Sequence, residues 1–100
     1  CPYCGARIRP DVVWFNEMLP LSALEAAWGA ISRADLVVVI GTSGMVHPAA
    51  DMPMDARDRG VTVIEINPQP SAITPVADLW IDQPSGVALP ELAHRVTALA

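Results

Sequence analysis

The sequence begins Cys1-Pro2-Tyr3-Cys4-Gly5, two thiols in knuckle spacing with no other cysteine in the 100 residues. Such a pair can supply half of a tetrahedral zinc site, act as a dithiol redox couple, or be incidental. A redox pair stands ahead of a helix N-terminus, which lowers the thiol pKa. Here Arg7, Ile8, Arg9 and Pro10 follow with no helical pattern. Pro2 and Gly5 suit the tight turn that brings two thiolates onto one metal, so half of a structural zinc site is the favoured reading. A complete site needs two further ligands.

A second group of candidates lies at Gly41-Thr42-Ser43-Gly44. Glycine after a strand lets the backbone approach a ligand closely, and two hydroxyls can bond phosphate or ribose oxygens. Strand ends also need turn residues, so the motif alone is weak. Asn67 follows the next apolar run in the same way, where an amide can hold ribose hydroxyls or merely open an Asn-Pro turn. Together the two loops raise the case for a nucleotide. The full G-x-G-x-x-G fingerprint is absent, which argues against a standard dinucleotide dehydrogenase. His47 and His94 have no evident carboxylate partner and are not assigned a catalytic role.

These groups need elements to position them. Val12–Phe15 reads as a short strand. Ser22 and Glu25 form an S-x-x-E capping box, and Leu24, Trp28 and Ile31 recur at helical spacing, predicting a helix over about 22–33. Leu36–Ile40 is apolar without alternation, the pattern of a strand buried on both faces of a parallel sheet. A helix over 48–60 follows, with Pro53 near its start and Gly60 as its stop. Val61–Ile66 reads as another strand, Leu79–Ile81 as a brief one, and the tail as a helix with Leu89, Leu92, Val96 and Leu99 on one face. Trp28 and Trp80 are expected in the core and Trp14 at a strand edge. Two successive βαβ units imply parallel strands, and ligands of such sheets bind beyond the strands' carboxyl ends.

Composition sets the outer bounds. Hydrophobic residues make up 52% and charged residues 17%, which is a core-rich globular chain. A net charge of −5 argues against a phosphate-backbone binder. No apolar run approaches the length that spans a bilayer. No secretory leader is visible, and with few cysteines a reducing, cytoplasmic setting is expected. Because Cys1 and not Met opens the chain, the start is read as a cut.

In order along the chain, "CPYCG…RPDVVWFNEMLP", "ADLVVVIGTSGMVHPAA", "ARDRGVTVIEIN" and "P…LPEL" resemble the carboxyl-terminal portion of the sirtuins, NAD-dependent protein lysine deacylases. The V-V-W-F wording is most similar to the bacterial and mitochondrial branch that includes desuccinylases. The resemblance implies an α/β fold, part of a Rossmann-like doubly wound parallel sheet. Residues 1–10 would be the second half of a small zinc module, and 11–100 the carboxyl-terminal part of the NAD- and peptide-binding domain.

It implies roles residue by residue. Cys1 and Cys4 would complete a four-cysteine structural zinc site with an upstream pair. Val13 and Phe15 would line the acyl-lysine tunnel, with Asn16 and Glu17 along the peptide, whose backbone pairs as an added strand. Met45 and Val46 would lie on the peptide's opposite side. Gly41, Thr42 and Ser43 would contact NAD phosphate and ribose, Asn67 the adenosine ribose, and Ser85 the adenine side. The catalytic histidine, the glycine-rich first NAD loop and the residues that select the acyl chain would belong to the upstream half. Asn16 stands where the family has glycine, and Asn accepts left-handed backbone angles better than most residues. Gln83 and Val87 depart from a glycine and an acidic residue. Three functions compete: part of a deacylase acting on acyl-lysine proteins, a non-catalytic NAD or ADP-ribose module, or a zinc-stabilised structural fragment. The chain alone is expected to be inactive and poorly stable.

Overall fold

A computed structural model describes residues 1–99. Its elements are α1 (Leu21–Ile31), β1 (Leu36–Ile40), α2 (Asp51–Asp58), β2 (Thr62–Ile66), β3 (Leu79–Ile81) and α3 (Ser85–Leu99). The three strands form one parallel sheet in the order β1-β2-β3. Val38 pairs with Ile64, which pairs with Leu79. This is the parallel α/β architecture read from the sequence.

Side chains alternate across a strand, so each strand presents two faces. Val37 and Val63 point to one face and are buried with Ala56 of α2 and Ile73 of the β2–β3 link. Residues 67–78 thereby cover the sheet where a crossover helix would otherwise lie. Among the described residues β1-α2-β2 is the one helix-crossed unit; with no strand at Val12–Phe15, the expected unit ahead of it does not form. The other face carries Leu36, Val38, Ile40 and Leu79, all exposed. The unalternating run of β1 therefore predicted two covered faces, and the described residues cover one.

The helix boundaries have local causes. α1 starts after Pro20, with no side-chain cap, so the Ser22/Glu25 capping box does not form. Ser22 is already inside the helix, two residues past the capping position, and cannot receive the orphan amides. Leu24, Trp28 and Ile31 are half-buried on one stripe, as their spacing requires. α2 ends as Gly60 takes φ +80°. Gly60 N–H then donates to Arg57 O and Val61 N–H to Ala56 O, a closure that satisfies the last carbonyls. Arg59 reaches from there to the carbonyls of Ile31 and Ser32, tying the end of α2 to the end of α1. α3 begins at Ser85, earlier than expected, and holds Pro90 within its first turns. Val96 and Leu99 on its apolar face are exposed.

The predicted strand at Val12–Phe15 is absent among the described residues. Arg9 instead clamps both carboxylate oxygens of Glu17 at 2.8 and 2.9 Å and donates to Val12 O. The Trp14 N–H bonds Glu17 Oε2, and the Glu17 N–H returns to Trp14 O. That ring of bonds curls the backbone where β-propensity alone would extend it. Trp14 is exposed beneath the Arg9 guanidinium, 5.1 Å from its ring centroid, and not at a strand edge. Trp80 is 37% exposed, with its indole N–H bonded to Asn67 O, so it is not the core residue expected.

Asp78 closes the sheet end by accepting the Val63 N–H, and it also pairs with Arg57. The Val63 amide chiefly, and then Arg57, hold its carboxyl below the ordinary range. A depressed folded-state pKa contributes stability above the unfolded-state value, which is lost as pH falls through the folded value. Glu17 behaves alike, through Arg9 first and the Trp14 amide second. Thermal unfolding should therefore shift to lower temperature on acidification below about pH 4. Asp78→Asn should flatten that acid limb; an unchanged limb would contradict the assignment.

Candidate functional site

Three loops gather at one end of the sheet because the strands are parallel. Gly41–Gly44 leaves β1, Asn67 leaves β2, and Ser85 opens α3 just beyond β3. Asn67 joins the first two: its Nδ2 donates to Thr42 O at 2.8 Å. Thr42 Oγ1 accepts the Gly44 N–H and Ser43 Oγ the Met45 N–H, leaving both hydroxyl protons to donate outward. With Asn67 Nδ2 held by Thr42 O, Oδ1 is left as an acceptor, and Gln69 N–H lies 3.5 Å from it. The candidate nucleotide residues Gly41, Thr42, Ser43 and Asn67 thus form one bonded rim. Ser85 stands at the same end, half-buried at the start of α3 rather than in a loop.

Beside this rim lies an open groove of about 630 Å³. One wall is the clamped turn with Val13, Phe15, Asn16 and Glu17; the other is Val46 through Ala49. All five candidate peptide residues line it. Met45 is exposed but is not among the lining residues. Phe15 is 83% exposed, an aromatic ring offered to an apolar chain. Met18 and Leu19 carry no backbone hydrogen bond among the described residues, so their polar groups are open to an added strand.

Asn16 sits at φ +68°, in the left-handed region that glycine or asparagine occupies most readily. Asn16→Gly should leave this turn intact. Asn16→Val should strain it by about 1–2 kcal/mol, speed amide exchange across residues 12–17 and weaken binding in the groove. Equal behaviour of the two variants would show that the turn does not depend on this angle.

Sequence reasoning missed two features. His47 Nδ1 lies 2.8 Å from Asp51, a pair signalled by their four-residue spacing. Glu65 is wholly buried, and its signal was a lone carboxylate within a β-branched run. At the amino end, Cys1 and Cys4 are free and exposed, in a turn closed by the Gly5 N–H to Cys1 O bond at 2.9 Å. Among the described residues no cluster of three or more His, Cys, Asp or Glu is placed to hold a metal. Two exposed thiols held in one tight turn have the donor chemistry of a thiolate metal site. No helix among the described residues is long and apolar enough to cross a membrane.

The three parallel strands with their crossover helix form a Rossmann-like α/β segment. The model of the Sir2 family matches residues 1–48. A Thermococcus kodakarensis NAD-dependent protein deacylase is 53% identical over 96% of this chain and 37% of its own length. One from Pyrococcus furiosus is 46% identical over the whole chain and 40% of its own. Among solved structures, a Sir2 homologue–NAD complex superposes with TM-score 0.88 at 44% identity, covering 100% of this chain and 40% of that one. A Sir2–p53 peptide–NAD+ complex does so with TM-score 0.78 at 35% identity, over 98% and 39%. The chain belongs to the Sir2 family, and it spans about two fifths of the length of the relatives it matches.

Proposed function

We propose that these residues are the NAD- and peptide-binding part of an NAD-dependent protein lysine deacylase. The observation that carries the reading is the bonded rim of Thr42, Ser43 and Asn67 adjoining the apolar groove. NAD, when bound, would supply the ribose that accepts the acyl group as nicotinamide leaves, one water being consumed, to give nicotinamide, O-acyl-ADP-ribose and free lysine. This chain's residues bind and orient. Gly41, Thr42 and Ser43 offer backbone and hydroxyl donors to phosphate and ribose oxygens, Asn67 offers Oδ1 to a ribose hydroxyl, and Ser85 stands toward the adenine side. Phe15 and Val13 hold the acyl-lysine stem and keep water from it, while Val46 closes the other side. Asn16 and Glu17 shape the turn, and the backbone beyond it takes the peptide as an added strand. The base that activates the ribose would be an upstream histidine.

Residues 1–10 are the second half of a structural zinc module, with Cys1 and Cys4 as ligands, and 11–100 belong to the binding domain. Substrates are acyl-lysine proteins rather than nucleic acid or membrane, and the setting is cytoplasmic. The test uses the full-length protein that contains this chain, with acetyl- and succinyl-lysine peptides, with and without NAD. NAD-dependent loss of acyl mass with matching nicotinamide release is the expected result. Nucleotide binding without turnover would support a non-catalytic NAD or ADP-ribose module instead.

A further inference from the structure

Glu65 is 0% exposed, and among the described residues its partners are hydroxyls and an amide, not a cation. Burying a carboxylate without a cation is unfavourable, and an apolar residue would hold a strand better. A role confined to sheet stability therefore does not account for it. Its contacts lead elsewhere. Ser71 Oγ–H donates to Oε1 and Thr74 Oγ1–H to Oε2. Those same hydroxyls accept the N–H groups of Ile73 and Ser71 at 2.9 and 2.8 Å. Glu65 is thus the anchor of the Ser71–Thr74 turn.

That turn in turn carries the rim. Ala72 N–H donates to Ser43 O at 3.0 Å, and Ile73 packs directly beneath Gly44. Glu65 Oε1 also receives Asn67 Nδ2 at 3.4 Å, the same nitrogen that holds Thr42 O. One buried carboxylate reaches both candidate nucleotide loops, through Ser71 and Thr74 on one side and Asn67 on the other. It is not among the residues lining the groove, whose walls are the Arg9–Glu17-clamped turn and the Val46–Ala49 segment ahead of α2.

We propose that Glu65 is a positioning residue for the nucleotide: it locks Gly41–Gly44 and orients the Asn67 amide, and it leaves peptide binding untouched. The proposal rests on the reading of the rim given above. A neutral amide cannot serve, because Gln offers one acceptor oxygen where Ser71, Thr74 and Asn67 all donate.

The experiment compares full-length wild type, Glu65→Gln and Thr74→Val. Titration calorimetry gives NAD affinity, steady-state kinetics give KM for NAD and for peptide, and amide exchange follows residues 42–44 and 71–74. Glu65→Gln should weaken NAD binding and raise its KM roughly tenfold or more. Peptide KM should hold, and exchange in both loops should quicken. Thr74→Val, which keeps the carboxylate and removes one donor, should shift NAD affinity in the same direction by less. It also provides the test should Glu65→Gln fail to fold. Unchanged NAD affinity in a folded variant overturns the proposal, as does a parallel loss of NAD affinity, peptide affinity and melting temperature. Failure of wild type to bind NAD would overturn the nucleotide reading itself, and the proposal with it.

Discussion

Gly44→Ala is expected to destabilise the protein by roughly 2–4 kcal/mol, summing left-handed backbone strain with overpacking. Gly44 is buried at φ +67°, and an added Cβ would lie 2.6 and 2.8 Å from Ile73 Cγ1 and Cδ1 and 3.1 Å from Ile73 N. Ile73 cannot yield, since it is itself wholly buried against Val37, Ala56 and Val63. The new methyl group must push the Gly41–Gly44 loop off the Ser71–Thr74 turn. NAD affinity should fall with stability. Gly60→Ala is the control: Gly60 is also left-handed at φ +80°, but nothing lies within 4 Å of its would-be Cβ. It should cost only the backbone term, about 1–2 kcal/mol. Denaturant unfolding of both variants measures the difference, and equal losses would mean that the contact with Ile73 carries no weight.

The second large effect concerns the exposed thiols. On the proposed zinc-module reading, Cys4→Ser in the full-length protein should release zinc and loosen the amino-terminal module, because a structural site missing one of four ligands loses most of its affinity. The cost should reach several kcal/mol of module stability, since metal binding free energy is folding free energy in such sites. Zinc content by elemental analysis and unfolding with and without chelator provide the measurement. Retained zinc, or activity that depends on the redox state of Cys1 and Cys4, would favour the redox pair instead.

What the sequence disclosed, and what it withheld, follows from the range of the interactions involved. β1, β2, β3 and the three helices were legible because apolar runs, periodicity and the Gly60 stop are local signals. The polar loops at the strand ends were legible because parallel pairing sends them to one side. The Val12–Phe15 strand failed since its β-branched and aromatic residues signal propensity, and a bidentate ion pair from Arg9 to Glu17 decides the backbone. The capping box failed because Pro20 starts the helix before Ser22 can cap it. The two-faced burial of β1 is a statement about what packs on it, and Leu36, Val38 and Ile40 have no cover among the described residues. Trp80 was assigned to the core by size, yet its indole N–H serves the Asn67 carbonyl, a contact made across 13 residues. Of the site, Gly41, Thr42, Ser43 and Asn67 were legible from their place at strand ends, and Val13, Phe15, Asn16, Glu17 and Val46 through resemblance, whereas Leu19, His47, Pro48 and Ala49 of the groove gave no signal of lining it. Glu65 and its hydroxyl partners were not, because a buried network has no spacing rule.

The most direct test of the central claim, that the rim takes NAD while the adjoining groove takes acyl-lysine peptide, is amide exchange of the full-length protein with each ligand in turn. NAD should slow exchange over residues 41–45 and 67–71, and acyl-lysine peptide over 14–19 and 45–49. Protection of neither region, or of the groove by NAD and the rim by peptide, would contradict the account.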